Sequence, residues 1–386
     1  MAKYRLGDIC EIVSGSTPKT SVDKYWDGDI KWITPAELND DTYIITDSVR
    51  KITDLAVKKT GLTSFPEGTV ILSSRAPIGK VAIAGCDMYC NQGFKNLICS
   101  EIIYNKYLYW FLKGKTVFLN SLGRGATFKE ISKSIVSNIE INIPNIAQQK
   151  EIVEILEKVH DIVAFRKREL LALDNLIKAR FVEMFGDLST NPKGWDETTI
   201  GNECYYIKDG PHKSLLDIGK ENGGHPFISV RNIVNGYIDF TTARYISDED
   251  YAEAIKKCHP ERGDILYSKG GTTGIAKLID IDEKFANWVH VAVLKFDKNR
   301  LNGVFFENML NGKFCYEQSQ RLTKGIANRD LVLSAMAKIK IYCPPCELQK
   351  EFAAFVHQVD KSKVVVQKAL DDAQLLFDSL MQKYFE

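Results

Sequence analysis

The stretch Ile143-Pro-Asn-Ile-Ala-Gln-Gln-Lys-Glu151 decides the fold, because the chain contains a second version of it that reads Cys343-Pro-Pro-Cys-Glu-Leu-Gln-Lys-Glu351. A helical pattern follows each copy and reaches Phe185 in the first and Phe385 in the second. Equivalent positions differ by 200, with no insertion or deletion between the copies. Equal length and a shared beginning indicate a duplicated structural element rather than two unrelated amphipathic helices.

Both helical patterns carry a narrow apolar stripe whose positions alternate in steps of four and three residues, which is typical of paired helices. A helix of about 40 residues is about 60 Å long and cannot bury such a stripe alone, so each copy is the predicted partner of the other. The predicted pairing residues are Ile152, Leu156, Val159, Val163, Leu170, Leu173, Ile177, Phe352, Val356, Val359, Val366, Leu370, Phe377 and Leu380.

Three charged residues interrupt the stripe, namely Arg166, Arg180 and Lys363. Such residues can fix the register of a helix pair at some cost in stability. Solvation at a widened stripe and pairing with an acidic group of a partner are the alternatives.

Composition bounds the class of protein. The 386-residue length suits two or three domains, and 45% hydrophobic with 26% charged residues is typical of a soluble globular chain. We expect a cytoplasmic protein without a membrane span, since no apolar run is long enough and no signal core opens the sequence. Nine scattered cysteines indicate reduced thiols. A net charge of +1 means that any nucleic-acid binding must rest on local patches or on partners.

The stretch before the first helix reads as a mixed α/β unit with short strands between Gly and Pro residues. Strand patterns lie at 31–34, 69–72 and 81–84, and helical patterns lie at 106–115 and 130–136. The stretch before the second helix repeats this framework more loosely, and the equivalent glycines are Gly7 with Gly201, Gly79 with Gly274, and Gly125 with Gly325.

The predicted order is therefore domain, helix, domain, helix. Its boundaries are a first globular domain at 1–144, a first long helix at 145–186, a linker at 187–194, a second globular domain at 195–344 and a second long helix at 345–386. The predicted fold class is two α/β (α+β) domains, related by an approximate two-fold axis and separated by two long antiparallel coiled-coil helices. Two similar but non-identical readers on such a frame predict an asymmetric DNA target with two half-sites.

Several motifs in a fixed order resemble the specificity subunit of type I restriction–modification systems. They are Leu6-Gly-Asp-Ile9, Gly15-Ser-Thr-Pro18, Gly28-Asp-Ile-Lys-Trp-Ile33, Ile71-Leu-Ser-Ser-Arg-Ala-Pro-Ile-Gly79, Asn91-Gln-Gly93, Gly125-Ala-Thr-Phe-Lys-Glu-Ile131 and the two Gln-Lys-Glu helix starts. Each motif alone is weak, but their order, spacing and duplication extend over essentially the whole chain.

The resemblance implies that each globular unit is a target recognition domain that reads one half of a bipartite site in double-stranded DNA. It implies that the helices act as a measuring rod and as the docking site for two modification (methyltransferase) subunits. A restriction subunit, an ATP-driven translocase and nuclease, would join through the modification complex. S-adenosylmethionine, ATP and Mg²⁺ are expected on these partners, and no cofactor is expected on this chain.

The second domain departs from the first at one loop. It has Ser268-Lys-Gly-Gly-Thr-Thr-Gly274 where the first has the Ser-Arg-Ala-Pro-Ile motif. Different half-site specificities would explain the difference.

No catalytic or metal-binding signature is visible in the sequence. It lacks a phosphate-binding loop, a dinucleotide fingerprint, a methyltransferase motif and a nuclease motif, and its six histidines show no metal-ligand spacing. We therefore predict a non-catalytic subunit with no catalytic residue and no metal site.

Cys343 and Cys346 form the one enzyme-like motif. A Cys-x-x-Cys pair at a helix start can be redox active, because the helix N-terminus lowers the pKa of a thiol. The internal repeat places Ile143 and Ile146 at the same positions. Two cysteines in place of isoleucines favour small buried apolar side chains over redox or zinc chemistry.

Candidate DNA-binding residues of the first domain are polar or basic side chains in its loops. Arg75 can bind guanine through two hydrogen bonds, Lys80 suits a phosphate, and Asn91 and Gln92 suit adenine. Capping of a buried turn is an equally common role for such amides. The full set is Thr17, Lys19, Trp32, Thr34, Arg75, Lys80, Asn91, Gln92, Lys95, Arg124 and Lys129.

The second domain offers a parallel set. Both domains carry two basic residues in an equivalent glycine-containing loop, which suits phosphate clamping. The candidates are Lys208, His212, Lys213, Arg231, Asn232, Lys269, Thr272, Thr273, Lys324, Asn328 and Arg329.

Two other function classes stay open at this point. A transcriptional or architectural DNA-binding protein with two readers would not bind a methyltransferase. A thiol oxidoreductase would require Cys343 and Cys346, and its function would be lost when both are replaced by isoleucine.

Overall fold

The computed structural model of the protein describes residues 2–39, 42–75, 77–125, 129–325 and 329–385. The chain divides into two compact units. Unit 1 comprises residues 1–167 and 367–386, and unit 2 comprises residues 168–366. The division falls inside both long helices, so each unit holds one globular part and one segment of each helix. The domain boundaries drawn from the sequence place each helix outside the globular parts and stay a prediction.

Unit 1 begins with short strands and ends with the first long helix. Its strands are β1 (Ala2–Arg5), β2 (Cys10–Ser14), β3 (Trp26–Ile33), β4 (Ile44–Ile45), β5 (Lys51–Ile52), β6 (Val70–Ser73), β7 (Val81–Ala84), β8 (Tyr89–Cys90), β9 (Phe94–Cys99) and β10 (Glu140–Ile143). Its helices are α1 (Leu6–Ile9), α2 (Asp54–Thr60), α3 (Asn105–Gly114), α4 (Thr116–Ser121), α5 (Lys133–Ser137) and α6 (Ile146–Phe185), of which the last continues into unit 2.

Unit 2 repeats this order. Its strands are β11 (Glu197–Thr199), β12 (Cys204–Asp209), β13 (His225–Ile228), β14 (Arg244–Ile246), β15 (Ile265–Ser268), β16 (Ala276–Leu278), β17 (Ala286–Asn287), β18 (Val291–Phe296) and β19 (Lys340–Tyr342). Its helices are α7 (Ile200–Glu203), α8 (Asp248–Lys257), α9 (Gly303–Asn311), α10 (Lys313–Leu322), α11 (Leu333–Met336) and α12 (Cys346–Phe385), of which the last continues into unit 1.

The sheets of the two units have the same layout. The main sheet has the order β2-β9-β6-β7-β4 in unit 1 and β12-β18-β15-β16 in unit 2. A second sheet, β5-β3-β8 or β14-β13-β17, joins one antiparallel pair and one parallel pair. A third sheet pairs the first strand of each unit with the strand that precedes its long helix, as β1-β10 or β11-β19. This pairing brings the two ends of each globular part together at the start of the helix.

The main sheet forms because its central strands are continuous apolar runs. All four residues of β6, β7 and β15 are buried, which is the pattern of strands covered on both faces. Polar residues follow where β6 and β15 end, and the loops there carry five of the candidate site residues, namely Arg75, Lys80, Lys269, Thr272 and Thr273.

A buried glutamine fastens the start of each long helix to its globular part. The side chain of Gln149 is fully buried, accepts the N–H of Tyr104 at 2.8 Å and donates to the carbonyls of Ile102 and Pro144, both at 2.9 Å. The equivalent Gln349, also fully buried, makes the same three bonds to Asn302, Arg300 and Pro344 at 2.8, 3.0 and 2.7 Å. The shared helix start is therefore a socket for one amide side chain.

The two helix segments of unit 2 run antiparallel. Asp174 contacts Lys363 at 2.5 Å, and Arg180 contacts Glu351 at 3.0 Å. Residue numbers therefore increase along one helix in the direction in which they decrease along the other. Phe181 lies between them, 5.4 Å from Phe352 in ring-centre distance.

In unit 1, the two helix segments share a core with the globular part. Ile152 and Leu156 are buried there with Trp110, and Phe377 packs against the same cluster. The ring of Trp110 lies 5.2 Å from His160 and 5.5 Å from Phe377.

The sequence prediction of two α/β parts with two 40-residue helices is confirmed. Every predicted pairing position is buried or half-buried. The helix predicted at 130–136 begins only at Lys133, because Ser132 caps it by accepting the N–H of Ile135 at 3.2 Å, and Glu130 belongs to the preceding loop. Within the described ranges, no helix is both long and apolar enough to cross a membrane.

Candidate nucleic-acid interface

The loop after the central strand is closed by one serine in each unit. Ser73 donates its N–H to the carbonyl of Lys80 at 2.9 Å, and its hydroxyl accepts the N–H of the same residue at 2.9 Å. Ser268 makes the same two bonds to Ile275, both at 2.8 Å. Although the loops 73–80 and 268–275 differ in sequence, they share this closure and present different side chains on the same frame.

Three segments meet beside this loop in unit 1. The N–H of Ser74 donates to the carbonyl of Gly93 at 2.7 Å, and the carbonyl of Ser74 accepts the N–H of Ile131 at 2.9 Å. The basic loop at 124–130 is closed by two backbone bonds between Arg124 and Glu130, at 3.0 and 2.9 Å. The base of the basic loop is thereby attached to the end of β6.

Unit 2 contains the same junction. Lys269 donates its N–H to the carbonyl of His290 at 2.8 Å and accepts the N–H of Leu331 at 2.7 Å. Lys324 and Asp330 close the basic loop at 324–330 by two backbone bonds, both at 2.9 Å. The duplicated sequence thus builds the same loop cluster twice.

A carboxylate at the base of the unit 1 loop pairs with two predicted site residues. Glu130 accepts from Nε of Arg75 at 2.9 Å and lies 3.3 Å from Nζ of Lys95, whose side chain is only 7% exposed. Burial alone raises the pKa of Glu130, but the hydrogen bond from Arg75 and the charges of Lys95 and Arg75 outweigh it, and the pKa falls below its usual value. Glu130 is thus ionised at neutral pH and compensates both cations.

The corresponding carboxylate of unit 2 is Asp330, and its cation comes from another position. Nζ of Lys269 lies 3.0 Å from Asp330 and 3.5 Å from Asp209, and the lysine side chain is 7% exposed. The predicted site residues Lys95 and Lys269 are therefore buried and hold loops together in this structure.

The exposed cations lie at the two ends of each basic loop. Arg124 and Lys129 are exposed in unit 1, and Lys324 and Arg329 are exposed in unit 2. Arg329 donates a hydrogen bond from Nη2 to Gln320. The candidate Asn328 lies outside the described residues. The exposed basic residues at the ends of these loops can meet phosphates.

Unit 2 has a cleft of about 670 Å³ that gathers three of the predicted residues. Arg231, Thr272 and Arg329 line it together with Trp288 and His290. The indole and imidazole rings are 4.7 Å apart and nearly perpendicular. The sequence reasoning missed these two aromatic residues. Their place after β17, where unit 1 has Asn91 and Gly93, was the available signal.

Hydrogen bonds near this cleft show which candidate residues are bonded to their own chain. Nη2 of Arg231 donates to the carbonyl of Thr242 at 2.8 Å, which orients the guanidinium. Asn232 is 1% exposed and accepts the N–H of Ser229 at 2.9 Å. Thr273 is 1% exposed and shares a 3.0 Å hydrogen bond with Thr323. Asn232 and Thr273 are therefore buried and bonded to their own chain, and neither lines the cleft.

Unit 1 places its polar candidates around the same loops. Thr34 caps a short turn by donating its N–H to Glu37 at 2.8 Å, as Ser229 does with Asn232 in unit 2. Nζ of Lys80 donates to the carbonyl of Pro35 at 3.3 Å. Trp32 is buried, with 2% exposed, beneath this turn.

The remaining candidates of unit 1 lie beside β8. Asn91 accepts the N–H of Gly93 at 2.9 Å, so its amide is a turn cap in this structure. Thr17 donates a hydrogen bond to the exposed Gln92, which joins the loop after β2 to this turn. Lys19 is exposed.

Three further candidates of unit 2 are exposed and lie after the start of β12. Nζ of Lys208 lies 5.1 Å from the ring centre of Tyr206, and Lys213 is 3.8 Å from Asp250. His212 lies between them in the chain. Weak surface contacts of this kind leave the side chains available for a ligand.

The surroundings of Cys343, the first cysteine of the pair at the second helix start, do not favour a thiolate. All nine cysteines are free. Burial raises the pKa of Cys343 to about 11, so its thiol is protonated at neutral pH. Sγ of Cys346 lies 2.7 Å from the carbonyl of Asn299. In the described part of the chain, no group of three His, Cys, Asp or Glu side chains could hold a metal ion.

Comparison with known proteins identifies a family. The family model described as "Type I restriction modification DNA specificity domain" matches residues 1–175 and again 192–372. The MjaIX type I restriction enzyme specificity subunit of Methanocaldococcus jannaschii is 29% identical over 98% of this chain and 91% of its own length. The MjaVIII specificity subunit of the same organism is 23% identical over 95% and 89%.

Two solved structures have a similar fold over the whole chain. The S subunit of a type I restriction–modification system from M. genitalium has a TM-score of 0.58 at 17% identity, covering 100% of this chain and 96% of that one. A chain from a study of complex assembly and conformational transition of the type I system has a TM-score of 0.60 at 16% identity, with 100% and 97% covered.

Proposed function

The chain belongs to the type I restriction–modification DNA specificity family, and from this premise we propose that each unit reads one half of an asymmetric, bipartite DNA target. The observation that carries the proposal is the repeated loop cluster. The same backbone junction at Ser74 and at Lys269 presents different side chains in the two units. Two copies of one frame with different readers fit a target whose halves differ.

The basic loops and the cleft of unit 2 would contact different parts of the DNA. Arg124, Lys129, Lys324 and Arg329 would neutralise phosphates, which gives affinity without sequence preference. The cleft residues Arg231 and Thr272 would contact base edges, where an arginine can bind guanine through two hydrogen bonds. In unit 1, Arg75 would contact a base edge in this way, although the residue that matches it in unit 2 is Gly270.

The long helices serve, in this proposal, as the spacer between half-sites and as the docking site for two modification subunits. Large apolar side chains on the helices are exposed outside the paired stripe, and in unit 2 they include Leu171 at 59% and Val364 at 70%. Exposed apolar residues at this density favour a protein partner. The exposed large apolar residues on the helices are Ile146, Ile162, Phe165, Leu171, Leu176, Val182, Val364, Val365, Leu375 and Leu376.

Catalysis belongs to the partners in this proposal. The modification subunits would bind S-adenosylmethionine and methylate adenine in the recognised site. Restriction subunits, which use ATP and Mg²⁺, would join through the modification complex. This chain would contribute recognition and assembly.

A methylome tests the proposal directly. The chain is expressed together with its neighbouring methyltransferase gene in a host that lacks both, and methylated adenines are mapped by sequencing. We expect a single new motif with two different specified halves and an unspecified spacer. If both proteins are soluble and no motif appears, the methyltransferase partnership is wrong and a regulatory DNA-binding protein becomes the better explanation.

Exchange of the second domain tests the assignment of halves. Residues 195–344 are replaced by the corresponding stretch of a relative with a known, different motif. We expect one half of the methylated motif to change and the other half to persist. A change in both halves would contradict the two-reader proposal.

A further inference from the structure

We propose that Glu130 and Asp330 are positioning residues, each of which fastens the base of the basic loop of its unit, the loop proposed to contact DNA, to the main sheet. This inference rests on the proposed function and names the side chains that keep each reader in shape. It assigns Glu130 to one half-site and Asp330 to the other.

Both carboxylates lie where the basic loop closes. In each unit, the residue pairs by two backbone bonds with the first cation of its loop, Arg124 or Lys324. Its side chain then reaches a lysine that is 93% buried, Lys95 at 3.3 Å or Lys269 at 3.0 Å. Each loop is therefore held by its backbone on one side and by an ion pair on the other.

The two units place the lysine at different positions of the shared frame, whereas the carboxylate occupies the same position in both. Lys95 lies on β9 opposite Leu72, and the matching residue of unit 2, opposite Tyr267, is Ala292. Lys269 follows β15 at the position that Ser74 occupies in unit 1. Two different constructions of one ion pair indicate that the loop requires the pair itself rather than a lysine at a given position.

The ion pair compensates a buried positive charge beside a loop that is itself basic. Each basic loop has two exposed cations at its ends, whose like charges repel each other, and a buried lysine is costly without a paired charge. The carboxylate compensates the charge of the lysine and positions the base of the loop in the free protein. Less conformational entropy is then lost when DNA binds. In unit 1, it also orients Arg75 through the 2.9 Å hydrogen bond.

The test selects bound sequences from a randomised duplex library. The full chain, in complex with its modification subunits, is incubated with the library, and the bound fraction is sequenced for the wild type, Glu130→Gln and Asp330→Asn. We expect Glu130→Gln to weaken the base preference in one half-site by about tenfold and to leave the other half intact. Asp330→Asn should weaken the preference in the opposite half, to a smaller extent, because Asp209 lies 3.5 Å from Lys269 and still compensates its charge.

Matched controls separate positioning from charge loss. Glu140 and Asp282 are exposed carboxylates that pair with Lys3 at 2.6 Å and Arg262 at 2.6 Å. Glu140→Gln and Asp282→Asn should keep both halves of the motif. The conservative exchange Glu130→Asp, which installs the residue type of unit 2, should restore most of the preference that Glu130→Gln loses.

A double variant separates positioning from stability. Lys95→Met with Glu130→Gln removes both members of the ion pair, so no buried charge is left alone, and the melting temperature should return toward the wild-type value. The base preference of the affected half should stay low, because the backbone bonds remain but the ion pair that positions the loop is absent. Full recovery of that preference would overturn the proposal.

The failures of the two proposals are distinguishable. A wild-type complex that selects no two-part motif contradicts the proposed function. A wild-type complex with a two-part motif, whose halves both survive Glu130→Gln and Asp330→Asn, contradicts the positioning role alone. Loss of both halves in either single variant also contradicts it, since that result reports general unfolding.

Discussion

At the scale of single residues, Gln149 and Gln349 show how one polar side chain fixes a long helix. Each is fully buried in a protein interior where an unpaired amide would be costly. Each satisfies one backbone N–H and two backbone carbonyls that the helix start and a neighbouring loop would otherwise leave unpaired.

Replacement of Gln149 by methionine tests this role. The change Gln149→Met keeps the volume but leaves the N–H of Tyr104 and two carbonyls without their partner, so we expect a loss of about 2–5 kcal/mol in the free energy of unfolding. Thermal and urea unfolding measure it. The exposed neighbour Gln148 supplies the control, and Gln148→Met should have little effect. Equal stability of the two variants would show that the socket is replaceable.

The two cysteines at the second helix start are predicted to be dispensable. The double replacement Cys343→Ile and Cys346→Ile restores the residue types of Ile143 and Ile146, and it removes no activated thiolate, since burial keeps the Cys343 thiol protonated with a pKa of about 11. The methylated motif and its extent of methylation should match the wild type. Loss of methylation with a folded protein would revive the thiol oxidoreductase hypothesis.

Residue type alone did not reveal burial at the candidate site. Asn232 and Lys269 were predicted as DNA contacts because amides and cations read bases and phosphates, yet both are buried and bonded to their own chain. Whether a loop polar group faces solvent depends on segments distant in sequence, such as the base of the 324–330 loop beside Lys269. That information is not local, so no motif carries it.

At the scale of elements, the apolar periodicity of the sequence predicted the two long helices and their ends. Both long helices end within a residue of their predicted ends, because a heptad stripe is a local signal repeated over many turns. The short helix at Lys133–Ser137 was predicted three residues too long at its start. The predicted helix included Glu130, but the backbone pairing of that residue with Arg124 places it in the loop.

The polar residue in the stripe of the second helix allows a further prediction. Lys363 is half-buried and contacts Asp174 at 2.5 Å and Asp360 at 3.5 Å. A partly exposed ion pair contributes little, whereas a leucine at a stripe position buries apolar surface. We expect Lys363→Leu to raise the free energy of unfolding by about 1 kcal/mol.

The opposite charge at the same position is the control. Lys363→Glu faces two aspartates and should lower the free energy of unfolding by about 1–2 kcal/mol. Urea unfolding of both variants measures the difference. A loss of more than about 2 kcal/mol in Lys363→Leu would instead mean that the lysine fixes the register of the helices, the role left open by the sequence.

At the scale of the whole molecule, duplication explains both what is shared and what differs. The frame is common to the two units, down to the glutamine sockets and the serine-closed loops. The side chains beside these loops are not, since Trp288 and His290, which line the cleft of unit 2, occupy positions that hold Asn91 and Gly93 in unit 1. The sequence predicted two different half-sites from two similar but non-identical domains and from their different loops after the central strands, but the bases themselves depend on how the side chains of each unit meet DNA.

Helix length is the property of the whole molecule that the proposed function makes testable. An insertion of seven residues after Leu170, matched by one at the facing position of α12, preserves the heptad register and lengthens each helix by about 10 Å. At about 3.4 Å per base pair, the unspecified spacer of the methylated motif should grow by about three base pairs while both halves stay the same. An insertion in one helix only breaks the pairing and should abolish methylation or destabilise the protein. An unchanged spacer in the doubly lengthened protein would show that the helices do not set the distance between half-sites.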